Sequence, residues 1–173
     1  MAIRIFGREG YATTSDAVEA IEYAISNGAK IINASWGGTG DSLALKTAIA
    51  KANTAGALFV TSAGNEGQDL DASPLYPASY DLPNVLSVAA ASRYGDRTSF
   101  SNWGRRAAHI AAPGEQVLSL SIDRSKVVDT FSGTSFAAPL VAGIAALARE
   151  QFGPEPPESL RRRILAAARV SPE

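Results

Sequence analysis

Ser135 lies in the stretch Ser132-Gly133-Thr134-Ser135-Phe136-Ala137-Ala138-Pro139-Leu140-Val141-Ala142-Gly143, where a glycine and a threonine lead into a long apolar run. A hydroxyl at the mouth of such a helix sits beside first-turn N–H groups that lack intrahelical partners and beside the positive end of the helix dipole. Both stabilise an oxyanion forming next to it, which is the requirement of acyl transfer. A serine hydroxyl is a weak nucleophile until a base takes its proton. Two further segments, Ser35-Trp36-Gly37-Gly38 and Ser62-Ala63-Gly64-Asn65-Glu66-Gly67, each follow a short apolar run and are not ordinary loop sequences.

Alternating strands and helices have to position these groups. Residues 2–6 read as a short strand, and residues 14–27 as a helix with Val18, Ile21 and Ile25 on one face and Gly28 as the stop. Residues 30–35 form a buried strand, followed by a helix capped by Asp41 or Ser42 and ending at Gly56, and then by strands at 57–61 and 84–91. This order predicts right-handed crossovers and an α/β fold of three layers, a mostly parallel sheet with helices on both faces. Ligands in such sheets bind beyond the carboxyl ends of the strands, where both unusual segments fall. Further strands are expected at 107–112, 116–122 and 127–131. A helix at 134–151 is apolar nearly all round and so expected to be buried, with Pro139 near its first turn. A last helix runs over 158–169, with Arg161, Arg162 and Arg163 on its wet face.

Composition narrows the function classes. The 173 residues, 46% hydrophobic and 19% charged, suit one domain with a real core. A net charge of -1 offers no basic surface for nucleic acid and no polybasic signal for membrane. The absence of cysteine excludes disulfides, thiolate zinc sites and cysteine nucleophiles. No apolar run reaches membrane-spanning length, and residues 1–7 lack the pattern of a signal peptide, so a soluble chain of unknown location is expected.

The stretch Gly133-Thr134-Ser135 with Ala137-Ala138-Pro139 and Val141-Ala142-Gly143 resembles the nucleophile motif of the subtilisin-like serine peptidases, the subtilases. Ala63-Gly64-Asn65 resembles the segment holding their oxyanion-hole asparagine, and Ser35-Trp36-Gly37 the strand that pairs with substrate backbone. Tyr76-Pro77-Ala78, Ser99-Phe100-Ser101-Asn102-Trp103-Gly104 and Ala112-Pro113-Gly114 match in the same order. The resemblance implies Ser135 and Asn65 as catalytic residues, and Ser35, Trp36, Gly37, Ala63 and Gly64 as the lining for a peptide or small ester. Trp36 suits packing and a substrate groove equally. Subtilases often bind calcium, but Asp69, Asp71 and Asp81 have no EF-hand spacing and read as a solvated loop, so no cofactor is expected.

Departures from the family pattern shape the functional expectation. Neither an Asp-Ser/Thr-Gly motif nor a His-Gly-Thr motif occurs, so residues 1–173 read as a single partial domain of truncated subtilisin-like fold without the usual Asp and His. Phe136 and Leu140 replace the usual methionine and histidine and are expected to alter packing only. His109, the single histidine, reads as a satisfied or surface residue remote from Ser135. Losing the histidine alone lowers turnover of a subtilisin by about 2 × 10⁶, leaving roughly 10³ to 10⁴ over water. Amide cleavage needs a protonated leaving group and activated esters do not, so weak ester hydrolysis is expected rather than proteolysis. The alternative is a non-catalytic remnant that binds peptides or associates with itself. With the neighbour of strand 2–6 missing, a homo-oligomer is expected, as a homodimer or with a complementing N-terminal half.

Overall fold

The computed structural model describes residues 1–121, 123 and 125–169. Four strands, β1 (Ile31–Ala34), β2 (Leu58–Ser62), β3 (Val85–Ala91) and β4 (Ile110–Pro113), lie in that order in one sheet, and every neighbouring pair is parallel. All residues of β2 and β3 are buried, the polar Thr61, Ser62 and Ser87 included, as strands are when helices cover both faces of a parallel sheet. On one face, α1 (Thr14–Ser26) and α2 (Leu43–Thr54) bring Ile21, Leu45 and Ile49 against Phe59 and Val85. The other face holds α3 (Thr134–Phe152) and α4 (Pro157–Ala167), with Ala137, Val141, Ala145, Leu160 and Ile164 against Leu58, Val60, Leu86 and Val88. The expected three layers are therefore present. A hairpin of β5 (Val117–Leu120) and β6 (Val128–Phe131) leads into α3.

Local chemistry sets the helix starts. Thr13 caps α1 in a reciprocal box, its Oγ1 accepting from Asp16 N–H at 3.2 Å while Asp16 Oδ2 accepts from Thr13 N–H at 2.7 Å. Ser42, not Asp41, caps α2 by accepting from Leu45 N–H.

Three expectations are corrected. Residues 2–6 form no strand: they lie across a cavity of about 750 Å³ from β1, and without a neighbour in ladder contact an extended segment is not part of a sheet. The helix at the nucleophile motif is not buried all round. Leu140, Ile144 and Leu147, one above another at helical spacing, are 42%, 53% and 67% exposed, while Ala137, Val141 and Ala145 fill the sheet-facing side. Pro139 is the sixth residue of α3, beyond the first turn, so its missing N–H leaves the Ser135 carbonyl without its helical donor. In addition, β4 begins at Ile110, which leaves His109 just before it, and the end of the expected strand at Ile122 lies outside the described residues. Among the described residues, no helix is long and apolar enough to cross a membrane.

Candidate active site

The parallel register of β1 and β2 pairs Ala34 with Thr61, so the segments leaving their carboxyl ends run side by side. One is Ser35-Trp36-Gly37 and the other Ala63-Gly64-Asn65. The N-terminus of α3 is delivered between them. Gly133 N–H donates to Gly114 O at 2.8 Å, and a side chain at Gly114 would stand 2.6 Å from Ala90 Cβ, so the Pro113-Gly114 turn packs tightly against the start of α3. Gly133 itself has φ +153°, a conformation that disfavours any side chain, and a Cβ there would face Asn65 Nδ2 at 3.6 Å.

Asn65 is locked to the helix start. Its Oδ1 accepts from Thr134 N–H at 2.8 Å and from Thr134 Oγ1 at 3.1 Å, while Thr134 Oγ1 accepts from Gly64 N–H at 3.0 Å. With the carbonyl side of the amide spent on two donors, Nδ2 is left as a donor with no acceptor among the described residues, at the start of α3. Ser135 is half-buried in the first turn. Its Oγ donates to Ser35 O at 3.3 Å, and Ser35 Oγ donates to Ser135 O at 2.9 Å, supplying the donor that Pro139 lacks. Among the described residues, none of the side-chain hydrogen bonds of Ser135, Asn65 or Thr134 involves an ionisable side chain.

His109 is at the other end of the sheet, before the first residue of β4. Its Nδ1 accepts from Ser87 N–H at 2.9 Å, and burial, helped by the nearby Arg161 guanidinium, lowers its pKa to about 4. It lines a separate cavity with Tyr80, Asp81 and Arg161, as a satisfied, neutral histidine. Asp71 accepts from the N–H groups of Arg106 and Ala107 and so ties down the loop before β4. Trp36 packs edge-on against Phe59 with ring centroids 6.5 Å apart, and Phe136 stacks on Phe131 at 5.2 Å.

All seven expected site residues thus gather at the carboxyl ends of β1 and β2. Asn102 is a residue whose part was missed. It is buried, and its Oδ1 accepts from Glu66 and Gln68 N–H at 3.0 and 2.9 Å while its Nδ2 donates to Ala63 O at 3.0 Å. This one amide holds the whole loop that carries Asn65. The signal was its place in the Ser101-Asn102-Trp103-Gly104 motif, which matched the family without a stated role.

Across residues 1–173 the sequence matches the model of the Subtilase family. The chain belongs to the subtilases. It is 37% identical over 168 residues to subtilisin DY of Bacillus licheniformis, covering 96% of this chain and 60% of that protein. The thermostable alkaline protease of Halalkalibacterium halodurans is 39% identical over 163 residues, 94% of this chain and 43% of that one. The crystal structure of a cold-adapted subtilisin-like serine proteinase superposes with a TM-score of 0.84 at 34% identity, over 95% of this chain and 58% of that chain. The chain therefore spans less than two thirds of the subtilases it resembles. Its sheet, helices and loop motifs are those of the subtilase α/β fold.

Proposed function

We propose that this subtilase chain is a serine hydrolase in which Ser135 attacks an acyl carbonyl and Asn65 Nδ2, with the Ser135 N–H in the first turn of α3, holds the resulting oxyanion. The observation that carries this is the Asn65 amide, clamped through Oδ1 to Thr134, the residue before Ser135, which leaves Nδ2 as the donor end of that amide. A donor fixed before the reaction needs no reorganisation when charge develops. The backbone of Ser35-Trp36-Gly37 offers an extended substrate a strand to pair with.

Ser135 Oγ has a carbonyl as its partner, not a base. On attack its proton passes to solvent, and the bond to the leaving group breaks without a protonated departure. A nitrophenolate leaves readily in that way and an amine does not. Substrates cleaved by these residues alone are therefore activated esters, and a histidine from a second polypeptide would extend the reaction to amides. A small fluorophosphonate should label Ser135, and p-nitrophenyl esters of short acyl groups should be hydrolysed while peptide anilides are not, with Ser135→Ala removing both labelling and turnover. Equal relative efficiency on ester and anilide overturns the ester preference, because it requires a working base. Peptide binding without turnover is the second reading, favoured by that same Oγ paired to a carbonyl and not to a base; it is supported if an unreactive peptide binds while the phosphonate leaves Ser135 unmodified.

A further inference from the structure

Arg161 does not share the wet face of α4 with the two arginines that follow it. It is half-buried and lines the cavity of about 600 Å³ that His109 also lines. Arg162 pairs with Glu158 and Arg163 with Glu155, whereas Arg161 has no ion pair among the described residues. Its Nε is sealed from solvent without a hydrogen-bond partner, which leaves Nη1 and Nη2 as the accessible donors. Burial lowers the Arg161 pKa, opposed only by Asp81 and Glu158 acting without contact. A partly desolvated cation with no anion against it carries a cost that an anion would offset.

The rest of the cavity suits that role. Its other charged lining residues are Arg105, Arg106, Asp71 and Asp81, so three arginines stand against two aspartates. Asp71 is spent on the N–H groups of Arg106 and Ala107, and neither Arg105 nor Arg106 has an ion pair among the described residues. His109 adds no charge, since its Nδ1 accepts from Ser87 N–H. Leu70, Tyr76, Leu82 and Pro83 contribute apolar lining, and the volume is that of a small-molecule site.

We propose that this cavity binds a small organic oxyanion, a carboxylate or phosphate whose charged group is held by the Arg161 guanidinium and whose apolar body fills the remaining space. The guanidinium fork matches two oxygens of either group. The site is separate from Ser135, because His109 lies at the other end of the sheet.

His109 is the single histidine of the chain, so an isotope-labelled histidine ring gives one reporter signal at this cavity. Phenyl phosphate, benzoate, inorganic phosphate and calcium chloride are titrated separately at neutral pH. Phenyl phosphate or benzoate should move the signal saturably, and which of them binds tells the preferred anion. Inorganic phosphate should bind at least about tenfold more weakly, lacking the apolar body; equal binding would strike that body from the assignment. Arg161→Gln should weaken binding at least about tenfold, the effect of losing a charge-assisted hydrogen bond, and Arg161→Lys should weaken it less because it keeps the charge without the fork. Asp81→Asn should tighten binding by removing a carboxylate that competes for Arg161. Circular dichroism checks folding, and Arg161→Lys and Asp81→Asn decide the matter if Arg161→Gln does not fold. No saturable change with either organic anion, or affinity indifferent to all three variants, overturns the site. Saturation by calcium chloride overturns the sign of its ligand.

Discussion

Ser35 and Ser135, a hundred residues apart, hold each other by a reciprocal pair of hydrogen bonds, Ser35 Oγ to Ser135 O at 2.9 Å and Ser135 Oγ to Ser35 O at 3.3 Å. The first compensates for a proline. In an uninterrupted helix Ser135 O would accept from the N–H of residue 139, which Pro139 lacks. Ser35→Ala should therefore lower stability by about 1 kcal/mol, the effect of leaving a partly buried carbonyl without its donor. In a Pro139→Ala background the helical N–H returns and the same change should have less than half that effect. Urea unfolding of the four proteins forms a double-mutant cycle, and strictly additive effects would refute the compensation.

The two ends of the Asn65 amide, Oδ1 on Thr134 and Nδ2 as the oxyanion donor proposed above, separate by mutation. Asn65→Asp keeps an oxygen for Thr134 N–H and Oγ1 but replaces the Nδ2 donor with a second, anionic oxygen. Esterase turnover should fall, toward the roughly 10² to 10³-fold loss known for a subtilisin oxyanion donor, while the urea midpoint is nearly unchanged. Asn65→Ala should lose both rate and about 1 kcal/mol of stability, since Thr134 N–H then lacks its acceptor. Unchanged turnover in Asn65→Asp would remove Nδ2 from the mechanism.

Asn102 shows how far the sequence could be read and where reading stopped. The parallel sheet was legible because short strands alternate with helices along the first half of the chain. The site segments were legible because glycine, asparagine and serine follow strands where a fold of this class exposes its carboxyl ends. What Asn102 does depends on the tertiary arrangement, which brings residues 63–68 against 102. No local pattern encodes those meetings. Residues 2–6 have the composition of a strand, but a strand also needs a ladder partner, which is a property of the neighbourhood. Apolar residues all round α3 signalled burial on every side, whereas the described residues cover only one.

His109 makes stability pH-dependent in a defined window. An unfolded histidine takes up its proton near 6.5, but in the folded chain burial and Arg161 hold the pKa to about 4, and Nδ1 must stay unprotonated to accept from Ser87 N–H. Between these values the unfolded state binds more protons, so stability rises with pH from about 4 to 6.5 and is lost as pH falls through that range. The loss should be on the order of 1–3 kcal/mol. His109→Asn keeps an acceptor for Ser87 N–H and cannot titrate there. Subtracting its stability curve from that of the unmodified chain cancels the carboxylates. The difference should rise across this window, and a flat difference would show that His109 titrates alike in both states.

Assembly is the last expectation. The outer edge of β1 has no partner strand among the described residues, and the Leu140, Ile144 and Leu147 stripe lies on α3, which packs across the same sheet. Unpaired edges and apolar stripes are liabilities for a solitary domain, and two-fold pairing is the commonest way in which a chain covers such a surface with its own copy. Sedimentation at micromolar concentration should give a dimer in place of an 18.0 kDa monomer. Ile144→Glu puts a charge at the middle of the stripe and should shift the population to monomer while circular dichroism stays the same. A compact monomer in the unmodified chain would rule out self-association, and a dimer indifferent to Ile144→Glu would move the contact away from α3.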